Sequence, residues 1–186
     1  MKVLAFAASL RKESHNRRLA ALAARYAGEA GAEVDLADFA DFRVPLYDGD
    51  VERTAGLPPG ARELIRRAGP AAGLLIASPE YNYSLPGTLK NLIDWVSRAK
   101  PNPLRGKSAL LLAASTSGFG GIRGLWQLRI PLEGMGVFVH PDMFALPNAA
   151  RMFDDRGELT EPERAERLRN LVRGYLSAAR ALARRD

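Results

Sequence analysis

The sequence predicts an α/β fold, a doubly wound five-stranded parallel sheet with helices on both faces. Three observations predict it. Several apolar runs have strand length and are unbroken rather than alternating, as strands buried on both faces must be. Segments with helical apolar spacing separate them, which is the pattern of helix-connected parallel strands. Polar turns rich in Ser, Gly or Pro follow the first, third and fourth runs, where a doubly wound sheet presents its strand ends.

Lys2 to Ala8 reads as the first buried strand, and Ser14 to Ala30 as a helix ending near Gly31. Ala32 to Phe39 alternates well enough for a second strand. Arg43 to Ala61, crowded with Pro, Gly and Asp, reads as a long surface loop. A short helix over Ala61–Ala68 precedes the continuous apolar strand Ala71–Ser78. A helix from about Gly87 to Arg98 leads to the strand Lys107–Ser115, and another from about Gly121 to Gly134 leads to a fifth strand within "GVFVHPDMFAL". In the closing stretch Arg164–Asp186, Leu168, Leu171, Val172, Tyr175, Leu176, Ala179 and Leu182 recur at helical spacing with arginines between them. No repeat or composition shift divides the chain, so residues 1–186 are expected to form one flavodoxin-like domain.

The 186 residues are 47% apolar and 26% charged, ordinary for a globular domain able to bury its own core. Cysteine is absent, which removes disulfides, thiol nucleophiles and thiolate metal sites. With His15 and His140 the only imidazoles, a histidine metal cluster is not expected either. No apolar run reaches the ~18 residues that a membrane span needs, and the chain opens on a strand-like run rather than a leader, so a cytoplasmic protein without membrane contact is expected. The net charge of +6 suits an anionic small molecule as well as nucleic acid. The basic residues lack aromatic or amide partners interleaved among them, which argues against nucleic acid.

Three turns carry the chemistry. In "SLRKESHN", Ser9, Arg11, Ser14 and Asn16 bring two hydroxyls, a guanidinium and an amide to a helix entrance, where free N–H groups already favour an anion. The same residues also suit a simple helix cap at Ser14 with Arg11 in solvent. In "SPEYNYSLPG", Pro79 and Pro86 stiffen a loop holding Glu80, Tyr81, Asn82 and Tyr83, able to offer amides and an aromatic surface to a planar ring. In "ASTSGFGG", Ser115, Ser117 and Gly118 allow close backbone approach. There is no Ser-His-Asp set, carboxylate pair or metal cluster, so the chemistry is expected from a bound cofactor that the protein positions.

At these residues the chain resembles the NADPH-dependent FMN reductase family, with its quinone, chromate and azo-dye reductases. The resemblance rests on Ser9-Leu10-Arg11-x-x-Ser14-x-Asn16, on Pro79-Glu80-Tyr81-Asn82 running on into Pro86-Gly87-x-Leu89-Lys90-Asn91-x-Ile93-Asp94-Trp95, and on Ser115 with Gly120-Gly121-Ile122-Arg123. Ala8 departs from it, a glycine being usual there. The resemblance implies that Ser9, Arg11, Ser14 and Asn16 hold the FMN phosphate. Pro79, Glu80, Tyr81 and Asn82 would line the ribityl chain and isoalloxazine, and the Ser115–Gly118 turn would border the ring. It implies hydride transfer from NADPH or NADH to bound FMN, then two electrons to a quinone-type acceptor, with chromate or azo compounds as side activities. No side chain is then a catalytic acid or base. It further implies a homodimer or homotetramer, with Trp95, Arg98, Arg123, Trp126 and Arg129 as candidate contacts between copies. The competing class is a flavodoxin-like electron carrier without NAD(P)H activity of its own, which a basic chain with this phosphate loop fits poorly.

Overall fold

β1 (Lys2–Ala7) lies inside the sheet, paired in parallel with β2 (Glu33–Ala37) on one side and β3 (Gly73–Ala77) on the other. β4 (Ser108–Ala114) follows β3, and the full order is β2-β1-β3-β4-β5. The computed structural model describes residues 1–183. The predicted helical residues Arg184 to Asp186 lie outside the described residues.

The unbroken apolar runs work by division of faces, because successive side chains of a strand point to opposite sides. Val3, Ala5, Ala7, Leu75, Leu110 and Leu112 pack against α1 (His15–Glu29) and α6 (Pro162–Ala183). Leu4, Phe6, Leu74, Ile76, Ala109 and Leu111 pack against α3 (Pro59–Ala68), α4 (Gly87–Val96) and α5 (Ile122–Gly134). One sheet thus separates two apolar cores, each closed by the buried faces of these helices. In α6 the stripe Leu168, Val172, Tyr175, Leu176 and Ala179 is buried, with the arginines between it outside.

Two stretches differ from the sequence reading. Arg43–Ala61 is not loop throughout: it holds α2 (Gly49–Ala55) and the first turn of α3. Asp48 caps α2 by accepting from the Asp50 amide, and Pro59 sits in the first turn of α3, where its missing N–H costs nothing. Apart from Pro45, the Pro and Asp residues that suggested loop are therefore helix-start residues. The fifth strand is in two pieces, β5 (Phe138–Val139) and β6 (Phe144–Leu146), both parallel to β4. The His140 amide makes one more bond to Ala109 O, and then Pro141 has no N–H to give. The chain bulges and returns to β4 at Leu112.

Order 2-1-3-4-5 reverses direction between β1 and β3, and ligands of such sheets sit outside the strand ends at that switch. The turns after β1, β3 and β4 meet there.

Candidate functional site

Those three turns enclose a cavity of about 170 Å³. Ser9, Arg11, Ser14, His15 and Asn16 line it from the first turn, Pro79, Glu80 and Tyr81 from the second, and Ala114, Ser115 and Thr116 from the third. The β1 turn reaches it because the Ser9 amide folds back onto Ala7 O while the Ala8 amide still bonds Ala77 O of β3.

Ser14 occupies the cap position of α1 in extended geometry, yet its hydroxyl makes no cap bond. The residue is 6% exposed; its carbonyl accepts from the Arg17 and Arg18 amides, while its hydroxyl has no partner among the described residues. Ser9 is equally buried and its Oγ accepts a long bond, 3.4 Å, from the Arg11 amide. The Arg11 side chain is exposed and enters no ion pair among the described residues. Two buried hydroxyls, one unpaired cation and the open N–H groups of the first turn of α1 therefore face one small space.

Asn16 has a different job in the geometry. Its Nδ2 donates to Ala114 O at 2.8 Å and its Oδ1 accepts from the Ala114 amide at 2.9 Å. The carboxamide thus mimics a neighbouring strand and fastens the start of α1 to the end of β4.

The second turn is braced from behind. The Glu80 carboxylate accepts from Arg123 Nε at 2.8 Å and from the Gly124 amide at 3.1 Å, tying the loop after β3 to the start of α5. The side chain of Glu80 is 8% exposed. Arg123 in turn lies over the rings of both Tyr83 and Phe119, 4.3 and 4.5 Å from their centres. Asn82 and Tyr83 both take positive φ, 48° and 67°, between the paired residues Tyr81 and Ser84. A tyrosine in that region costs ~1–2 kcal/mol, and the turn holds Tyr81 and Tyr83 out in solvent beside the cavity mouth.

In the third turn Ser115 Oγ donates to Ser117 Oγ at 3.1 Å and accepts from the Ser117 amide. Of the residues singled out from the sequence, Asn82, Ser117 and Gly118 do not line the cavity: Asn82 is at the tip of its turn, and Ser117 and Gly118 lie further along theirs. Sequence reasoning missed His15 and Thr116, whose signal was only their place inside the polar runs. Wider hollows of about 440 and 480 Å³ lie between α1 and β2 and along α6. In the first, Arg17 is paired with Asp38 at 2.5 Å and Arg18 donates to Asp154 O, and neither hollow draws on the switch-point turns.

Residues 1–151 match the family model for NADPH-dependent FMN reductase. The chain belongs to that family. Among curated relatives, an NAD(P)H-dependent FMN reductase of Pseudomonas aeruginosa is 36% identical over all of this chain and 96% of its own length. An NAD(P)H:quinone oxidoreductase of Solanum tuberosum is 37% identical, covering 98% of this chain and 93% of its own. A quinone reductase of Escherichia coli is 42% identical over 69% of this chain and 68% of its own. The solved flavoenzyme NAD(P)H:(acceptor) oxidoreductase FerB of Paracoccus denitrificans superposes with a TM-score of 0.82 over 97% of both chains, at 24% identity, a likeness of fold.

The residues present fit the FMN of the family. The unspent Ser14 hydroxyl, buried Ser9 and unpaired Arg11 supply the short donors that a phosphate needs. The cavity is smaller than the ~300–1,000 Å³ that encloses a drug-sized ligand. Its size and polar lining suit the phosphate end of a mononucleotide.

Proposed function

We propose that this FMN reductase family member is an FMN-dependent oxidoreductase that draws electrons from NADPH or NADH and delivers them to a quinone-type small molecule, with chromate and azo compounds as further acceptors. One observation carries the placement of the cofactor: a buried serine at a helix cap position that does not cap, in a cavity shared by all three switch-point turns. FMN, when bound, supplies two-electron transfer between nicotinamide and acceptor.

The protein's own part is to bind and orient. Ser9, Ser14 and Arg11 grip the phosphate, and Asn16 keeps the first and third turns in register. Pro79 to Asn82 and Ser115 to Gly118 flank the ribityl chain and ring. The Tyr81, Ser115 and Ser117 amides are bonded within the described chain, which leaves those of Glu80, Asn82, Thr116 and Gly118 as the preset dipoles that would favour negative charge at the ring edge. Glu80 and Arg123 hold the second and third turns as one unit. The exposed rings of Tyr81, Tyr83 and Phe119 give a flat nicotinamide or quinone a surface to stack on.

The absence of cysteine and of any described helix long and apolar enough to cross a membrane supports a working place in the cytoplasm. Exposed Trp126 and Ile130, one turn apart on α5, support self-association into a dimer or tetramer. Trp95 is fully buried in its own chain, its Nε1 donating to Pro45 O, and takes no part in such a contact.

Protein reconstituted with FMN is expected to be yellow and to lose that colour within seconds of anaerobic NADPH or NADH, and to regain it on adding a quinone. Colour that survives both nicotinamides would identify an electron carrier instead. Arg11→Ala is expected to weaken FMN binding by about 1–2 kcal/mol, the low end for a charge-assisted contact because the side chain is exposed. Fluorescence titration measures it, and an unchanged dissociation constant would remove Arg11 from the phosphate site.

A further inference from the structure

His15 is one of the residues that line the cavity. Its Nδ1 is the single side-chain nitrogen or oxygen, among the described residues, that is sealed from solvent without a hydrogen-bond partner. Buried polar atoms are nearly always paired, so this one calls for an explanation. An imidazolium carries an N–H on both ring nitrogens, and one would sit at Nδ1 with nothing to accept it. Orphaned buried N–H groups are rarer than under-satisfied acceptors. The neutral ring with Nδ1 bare and the proton on Nε2 avoids that cost. The surroundings act in the same direction: burial, then the charges of Arg18 and Arg11, hold the His15 pKa below the ordinary histidine value.

We propose that His15 is a neutral hydrogen-bond donor to the phosphate of the bound mononucleotide, its Nε2–H adding to the hydroxyls of Ser9 and Ser14 and the guanidinium of Arg11. This rests on the reading that the FMN phosphate occupies the cavity. The cradle then takes its positive charge from arginine and the dipole of α1, while His15 contributes direction without charge. Its Nε2–H is present in the neutral ring, so the contact does not require the imidazole to be charged.

FMN and riboflavin differ only by the phosphate, so the pair isolates this contact. Titrated by flavin fluorescence, His15→Phe is expected to weaken FMN binding about five- to tenfold and to leave riboflavin binding unchanged. His15→Gln, which keeps an N–H donor, is expected to recover most of the loss. Equal weakening of both flavins, or FMN binding unchanged in His15→Phe, overturns the proposal. A second measurement needs no variant: in wild-type protein loaded with FMN at about pH 7, the 15N signals of the His15 imidazole are expected to show a protonated Nε2 and a bare Nδ1. An imidazolium, or the opposite tautomer, overturns it as well. Wild-type protein that binds riboflavin as tightly as FMN would instead remove the phosphate from the cavity altogether, and the cofactor placement would fail with it.

Discussion

Asn16→Leu is expected to destabilise the protein by about 2–4 kcal/mol and to abolish retention of FMN. The leucine fills a similar volume at a site where Asn16 is almost wholly buried, so the loss is one of hydrogen bonds rather than of packing. Both bonds end on the same peptide, the amide and carbonyl of Ala114, 98 residues away in sequence. Without the carboxamide those two backbone groups are left buried and unpaired, at ~1–3 kcal/mol each, partly offset by burying the leucine. For a chain of this size that corresponds to a drop of roughly 5–15 °C in melting temperature. Binding suffers separately, because the first and third turns lose their common anchor. Thermal unfolding with and without FMN measures both effects. A melting point within a degree or two of wild type would show that the joint is dispensable.

Gly120→Ala is expected to cost about 2–4 kcal/mol and to loosen the third turn. Gly120 has φ of 64°, where a side chain is strained by ~1–2 kcal/mol. A Cβ there would also stand 2.9 Å from Leu146 C and Pro147 N, main-chain atoms at the end of β6 that cannot swing away. Overpacking of that kind adds ~1–3 kcal/mol. Gly28→Ala is the matched control. It lies inside α1 with nothing within 4 Å of its Cβ position, and is expected to stabilise the protein by about 0.5–1 kcal/mol. Urea unfolding of the two variants should move the midpoint in opposite directions. Movement in the same direction would refute the contact argument.

The fold was legible because buried parallel strands carry their signal in composition: the runs at 3–7, 73–77 and 109–114 are apolar on both faces, short, and bounded by polar or Gly/Pro turns. The fifth strand was less so, since the break at Pro141 depends on β4 supplying partners before and after it. The helix Gly49–Ala55 was hidden because Asp48 and the surrounding Pro and Gly serve turns and helix starts alike. At the site, the polar types in the first turn were readable, but their division of labour was not. Asn16 and Ser14 look interchangeable as phosphate ligands in sequence. Only the position of Ala114 shows that one is committed to the backbone and the other is free. His15 was passed over for the same reason: its significance lies in an unpaired atom, and pairing is a tertiary property.

The joint between Asn16 and Ala114 has a practical corollary. A cut after exposed Lys100, between α4 and β4, would leave Ser9–Asn16 and Pro79–Tyr81 on one fragment and Ala114–Thr116 on the other. On the proposed placement of FMN, neither piece owns a complete nucleotide seat, so flavin would associate only with the rejoined pair and would favour their reunion by mass action. The cofactor would, in that sense, be a suture across the two halves of the chain.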